Sequence, residues 1–325
     1  IGTRDSSGGV FRKIVDIAGW SRAVYRLYQK TPLVCVNCHS VTMLPLGVML
    51  KRATGARIIY DAHELETEAN GLRGVRKHLT KQVERALIRH ADHCIFVGHA
   101  IEQWYIREYG LRNTTVLYNC PPRQQIQKGD YFRQFFSIPR DKPIFLYQGL
   151  IGEGRGIRIM VEAFSSLADK AVLVVMGYGA LAGWFAEQAA RHENMYYHPI
   201  VPPHRLLEYT GAADYGLSVI EATSLSYEYC MPNKLFEYVM ARKPVLVSPT
   251  LEQRNFVETH GIGEVADKLT PGAVRDAVLR LLARPPASFE AALDRTSREF
   301  CWERQEMKLE AVYVDDEDGR PHIFF

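Results

Sequence analysis

The chain has 325 residues, 24% of them charged and 47% apolar, with a formal net charge of +3. At about 150 residues per domain this length suggests two domains. The composition excludes a disordered chain, a collagen and a disulfide-stapled miniprotein. No apolar run approaches the ~18 residues that a spanning helix needs.

The charge is unevenly spread. Residues 1–140 carry 21 Lys+Arg against 11 Asp+Glu, and the remainder 19 against 26. A basic half suits an anionic surface or an acidic partner. No nucleic-acid recognition motif accompanies it, so nucleic acid is not an expected partner. The six cysteines are scattered and fit a reducing, cytoplasmic setting. Cys35-Val36-Asn37-Cys38 is followed by no second pair at zinc spacing, and Cys35 in its apolar run reads as a buried thiol.

In chain order, short apolar runs alternate with longer helical patterns. Strands are expected at 33–36, 57–60, 93–97 and 115–118, with helices at 41–52, 77–90 and 100–109. This alternation argues for parallel βαβ units. Only four strands are visible in this first unit, where a full doubly wound sheet has about six. A Pro-rich, polar break then spans 123–142, with a short helix. The alternation restarts with strands at 143–147, 171–176, 195–198, 215–219 and 244–248. Helices are expected at 156–167, 181–191, 204–210, 234–241 and 270–283. The expected organisation is a Rossmann-like domain over 1–122, a linker, a second Rossmann-like domain over 143–296, and a last helix with a frayed tail over 297–325.

Met231-Pro232-Asn233-Lys234-Leu235-Phe236-Glu237-Tyr238 is the most informative segment. Pro232 can open a helix and Asn233 can accept from its free amides. Such a helix start directs bare N–H groups and a positive dipole end at whatever sits above the sheet, which suits a phosphate. Lys234 in the first turn opposes the dipole unless an anion is bound. Glu237, one turn on, can accept two hydroxyl hydrogen bonds, as a ribose offers. Gly149, Gly152, Gly154 and Gly156 crowd one strand-to-helix turn, where glycines allow backbone amides to approach a pyrophosphate. Arg155 in that turn can neutralise a leaving diphosphate. His63 stands at a predicted strand end, where open parallel sheets place their sites; Asp61 and Glu64 flank it, and His39 is a weaker candidate.

Pro232 to Tyr238 with Pro244-Val245, Tyr147-Gln148-Gly149 with Gly154-Arg155-Gly156, and Met176-Gly177-Tyr178-Gly179 together resemble the donor site of glycosyltransferase family 4, a GT-B family. In the first half, Tyr60-Asp61-Ala62-His63-Glu64 and Asn37-Cys38-His39 before Leu44-Pro45-Leu46-Gly47 resemble the segments around that family's strand-end His. The resemblance implies an α/β fold of two Rossmann-like domains facing a cleft. It implies transfer of a sugar from a nucleotide-diphosphate sugar to a hydroxyl of a sugar, glycan or lipid-linked acceptor, with retention of configuration, as in cell-surface polysaccharide or glycolipid synthesis. The donor-side residues would be Gly149, Arg155, Gly177, Tyr178, Asn233, Lys234, Leu235 and Glu237, with His63 contacting the sugar. No cofactor is expected beyond the donor, and cations with helix dipoles, rather than a metal, are expected to hold the diphosphate.

The sequence departs from the family in three places. The family's two glutamates lie eight positions apart; the second maps onto Glu237, but the first would fall at Tyr229, with Glu228 one position earlier. A bulge would bring Glu228 to the sugar as the other catalytic candidate. Leu150 stands where a basic residue often follows the first glycine. The family's opening strand is not visible, implying roughly 60 further residues before Ile1 by ordinary domain anatomy.

Residues 73–90 form a basic amphipathic helix, with Arg73, Arg76, Lys77, Lys81, Arg85 and Arg89 against Leu79, Val83, Leu87 and Ile88. It can lie on an anionic bilayer or pack on the sheet with its cations solvated, so peripheral membrane contact is one of two expectations. Two rival functions stay open at this point. An epimerase of similar fold would use cleft carboxylates such as Asp61, Glu64 and Glu66, and a non-catalytic scaffold would only bind the nucleotide sugar.

Overall fold

The computed structural model describes residues 10–69, 71–313 and 322–324. The chain forms two parallel sheets. The first contains β1 (Cys35–Cys38), β2 (Arg57–Ala62), β3 (His93–Phe96) and β4 (Thr114–Val116). The second contains β5 (Ile144–Leu150), β6 (Val172–Tyr178), β7 (Met195–Pro199), β8 (Tyr215–Ser218), β9 (Val245–Val247) and β10 (Gly263–Val265). Its order is β10-β9-β8-β5-β6-β7. Helices cover both faces, so most of the central strands are buried and read as continuous apolar runs.

The first sheet differs from the expectation at its edge. A strand β11 (His322–Phe324) pairs in parallel with the outer side of β1, giving the order β11-β1-β2-β3-β4. Part of the expected frayed tail is therefore a strand; residues 315–321 and 325 lie outside the described residues. Helices Val10–Tyr28, Leu251–His260 and Glu290–Glu299 and the short Leu225–Glu228 were not among the expected ones. The second buries Glu252 and Gln253 beside Phe256 and Val257, so its inner face is partly polar and shows no clean apolar stripe.

The two cysteines of the C-x-x-C lie in different core clusters. Cys38 joins one with Leu44 and Ile58, and Cys35 the other with Ile59, Ile95 and Val312. An odd spacing along a strand sends side chains to opposite faces. The last helix, Trp302–Tyr313, delivers Val312 to that second cluster, so the chain returns to the first domain after building the second.

The basic segment, helix Gly74–Leu87 with the turn after it, buries only part of its expected apolar side: Ile88 is in the core and Leu87 packs against it. Val75, Leu79 and Val83 are exposed, and the buried side chain within the helix is Glu84. Its carboxylate accepts from the hydroxyls of Tyr60 (2.8 Å), Tyr105 (2.8 Å) and Tyr109 (2.7 Å). Burial pushes the Glu84 carboxyl above its usual range, and these hydroxyls pull it part of the way back. Lys77, Lys81 and Arg85 are drawn into ion pairs with Glu68 and Glu108.

Glu84→Ala would leave three tyrosine hydroxyls without their acceptor. At about 1 kcal/mol for each unsatisfied buried group, the expected destabilisation is about 3 kcal/mol. Denaturant unfolding measures it, and a loss below about 1 kcal/mol would show that the network contributes little.

Candidate active site

The second sheet runs from β5 outward to β6 and β7, then crosses to β8 on the other side of β5. That reversal is the switch point at which open parallel sheets form a crevice beyond their C-terminal strand ends. A cavity of 620 Å³ lies there. Gly149 and Leu150 line it from the end of β5, Gly177 and Tyr178 from the end of β6, and Asn233, Lys234 and Glu237 from the helix Asn233–Met240. Arg155 joins them from the turn after β5. The two segments thus meet in one space, as a shared ligand requires.

The glycines are dictated by close approach. Gly149 and Gly177 are partners across β5 and β6. A Cβ on Gly177 would sit 1.9 Å from the Gly149 carbonyl oxygen. Gly156 has φ +64°, and a Cβ there would lie 2.3 Å from Val219 Cγ1.

Helix Asn233–Met240 starts differently from the expected capping. Pro232 holds the cap position in extended geometry, and no side chain caps the helix. Asn233 is the first helical residue instead of the acceptor for the free amides. Lys234 is buried, with Nζ 3.6 Å from the centre of the Tyr147 ring. Burial, and then the charge of Arg155, bring its ammonium down to about 7, against a smaller upward pull from Glu237. Arg155 stacks its guanidinium over Tyr227 at 4.8 Å, and its buried Nε has no hydrogen-bond partner. Glu237 accepts from Gln148 Nε2 at 2.5 Å; burial raises its carboxyl, opposed by that hydrogen bond and by Lys234. Two cations and an orphan N–H around one cavity describe a site for an anion.

Two sequence-predicted residues stand elsewhere. The Leu235 side chain is fully buried in the domain core, and its amide bonds to the Pro232 carbonyl. One position past Lys234, the helical turn carries it off the cavity wall. Glu228 does not line the cavity; its carboxylate accepts from the Leu251 amide at 3.1 Å, at the start of helix Leu251–His260. The chain also carries one Asp-x-Asp, Asp316-Glu317-Asp318 in the tail, outside the described residues. The expectation of a metal-free diphosphate therefore rests on the cavity's cations alone.

Three contributors had no assigned role in the sequence reading. Gln148 orients Glu237 and is itself held by Thr210 Oγ1 at 2.9 Å. Tyr147 underlies Lys234, and Tyr227 underlies Arg155. Gln148 did carry a signal: it is a polar residue between a buried strand and a glycine.

In the first domain His63 follows β2 and is half-exposed. His63 Nε2 lies 3.6 Å from Asp61 Oδ2. The neighbouring Glu64 accepts from Ser226 Oγ at 3.3 Å, next to Tyr227, over whose ring Arg155 lies. Glu252 ties the domains at a second point, accepting from the amides of His99 and Ala100 at 2.8 Å each. Among the described residues no helix is long and apolar enough to cross a membrane.

Residues 5–121 match the family model described as Glycosyltransferase Family 4, and residues 142–284 that of Glycosyl transferases group 1. Several solved structures are similar. HepE from Anabaena in complex with UDP superposes with a TM-score of 0.75 at 12% identity, over 92% of this chain and 82% of that one. Sucrose-phosphate synthase from Thermosynechococcus elongatus gives 0.72 at 18% identity, over 92% and 77%. The E. coli trehalose-6-phosphate structure bound with UDP-2-fluoro glucose gives 0.69 at 12%, over 93% and 76%. At these identities the likeness is one of fold. No curated protein matches the sequence.

Proposed function

This chain is a GT-B glycosyltransferase of the family 4 and group 1 type, and from that premise we propose that it moves a sugar from a nucleotide-diphosphate sugar to an acceptor hydroxyl with retention of configuration. The acceptor oxygen attacks the anomeric carbon from the face that the diphosphate leaves. The bond from that carbon to the β-phosphate oxygen breaks, and the acceptor proton passes to the departing oxygen. Arg155, Lys234 and the free amides at Asn233 stabilise the charge on the diphosphate without a metal. Gly149, Gly177 and Tyr178 shape the wall beside it, and Glu237, oriented by Gln148, holds the ribose hydroxyls. His63 contacts the sugar from the opposite side of the cleft, and Glu228, at the end of the short helix Leu225–Glu228, acts near it only if that helix shifts.

The observation that carries this reading is the single cavity joining Arg155, Lys234 and Glu237, with a buried guanidinium N–H lacking a partner. A lipid-linked acceptor at an anionic membrane surface, as glycolipid or polysaccharide synthesis uses, is supported by exposed Val75, Leu79 and Val83 beside Arg73 and Arg76.

A thermal-shift screen of nucleoside diphosphates and their sugars tests the donor site. A ligand at 100 times its Kd adds about 2.7 kcal/mol of stability. At least one nucleoside diphosphate is expected to raise the melting temperature, and Glu237→Ala to remove most of that response. No response to any of them, or an equal one in the variant, would refute the assignment.

A further inference from the structure

Three ligand atoms converge at the open end of the first sheet. Strands β1 and β2 pair in parallel with Cys38 beside Tyr60, so the residues leaving both strands emerge together. His39 Nδ1 lies 3.0 Å from Asp61 Oδ2 and 3.3 Å from His63 Nε2. His63 Nε2 lies 3.6 Å from the same carboxylate oxygen. Among the described residues these three form the one cluster of His, Cys, Asp and Glu ligands this tight.

Ordinary hydrogen bonding accounts for two edges of this triangle, from His39 to Asp61 and between the two imidazoles. A single imidazole N–H accounts for the 3.0 Å contact to Asp61. The third edge, 3.6 Å from His63 Nε2 to Asp61 Oδ2, is too long for a hydrogen bond. A metal ion explains all three edges. Zinc binds imidazole nitrogen and carboxylate oxygen at about 2.0–2.2 Å, and the ligands of a tetrahedral ion at that radius stand roughly 3.3–3.6 Å apart. Two of the observed edges, 3.3 and 3.6 Å, stand at the two ends of that range, and the third, 3.0 Å, is shorter by about 0.3 Å.

We propose that His39 Nδ1, Asp61 Oδ2 and His63 Nε2 bind one divalent transition-metal ion of the zinc class, with a fourth position open to the cleft. Two imidazoles with one carboxylate favour such ions over magnesium or calcium. The consequence for catalysis rests on the transferase reading of His63: an ion held on His63 Nε2 withdraws that nitrogen from the sugar. Occupancy of this site therefore inhibits transfer. Metal binding itself is independent of that reading.

Cobalt(II) added to the metal-free full chain reports the site directly. One equivalent is expected to bind, with the strong visible absorption of a low-coordinate ion, and zinc to displace it. His39→Ala and Asp61→Asn are each expected to weaken cobalt binding by more than about tenfold, because even an outer-sphere partner of a metal ligand is worth 10–100-fold. Circular dichroism of the free variants checks that they fold, and the milder His39→Gln serves if His39→Ala does not. Absence of the absorption band, or a band that survives both substitutions, would overturn the metal site. In the same preparation, one equivalent of zinc is expected to suppress transfer and EDTA to restore it. A cobalt band with transfer indifferent to zinc would overturn the inhibitory role. A cobalt band in a chain with neither transfer nor nucleotide binding would instead overturn the transferase reading and leave the metal site standing.

Discussion

Arg155→Ala is expected to lower kcat/KM for the donor by about 10²–10³-fold, the usual loss when one preorganised group that stabilises developing charge is removed. The magnitude follows from where the guanidinium sits. Its Cζ lies 4.8 Å from the centre of the Tyr227 ring, its Nε is buried without a partner, and it shares the cavity with Lys234. Little protein structure depends on its head group, so removing it should spare folding while taking positive charge from the departing diphosphate. Arg155→Lys should recover only part of the activity, since an ammonium offers neither the flat stacking surface nor the forked donors. Arg158→Ala is the control: that guanidinium lies over Trp184 and pairs with the exposed Glu153. Steady-state kinetics with varied donor would decide it. A loss within about threefold for Arg155→Ala would remove this residue from the oxyanion-stabilising role.

Most of the residues that line this cavity could be picked out from the chain because their pattern is local. Proline before Asn233 marks a helix start, and glycines at the ends of β5 and β6 mark close backbone approach. Lys234 in a first turn stands against the helix dipole, which marks it out along the chain. These features depend on neighbours a few residues away, so spacing reveals them. What escaped depends on distant partners. Glu84 is buried because Tyr60, Tyr105 and Tyr109 arrive from two other elements to satisfy it. Without those hydroxyls the same helix would be read with Leu79 and Val83 inward. Helix Leu251–His260 hides for the same reason, since Glu252 faces inward to meet the amides of His99 and Ala100. The pairing of β11 with β1 joins residues nearly 290 apart in the chain, and no periodicity carries that information. His39 and His63 are likewise 24 residues apart; only the parallel register of β1 and β2 places them together.

The affinity for a nucleoside diphosphate should fall as the pH rises above 7. In the free protein, burial and Arg155 hold the Lys234 ammonium at about 7, so above that pH the side chain is mostly neutral. A diphosphate seated between the two cations favours the charged form and pulls this value back toward its ordinary range. Binding above pH 7 must therefore take up a proton. One linked proton weakens affinity by up to about tenfold per pH unit until the pKa of the bound state is reached. Folding of the free protein carries the opposite sign. Between about 7 and 10.5 the unfolded chain keeps the Lys234 proton that the folded chain has released, so this group's contribution to stability grows as pH rises through that window. Ligand affinity and free-protein stability should thus move in opposite directions across the same range. Lys234→Arg keeps its charge throughout and should flatten the binding slope. Calorimetric titrations near pH 8.5 in buffers of different ionisation enthalpy would count the proton directly. Binding that takes up no proton, with the same Kd at pH 7 and pH 9, would mean that Lys234 does not meet the phosphates.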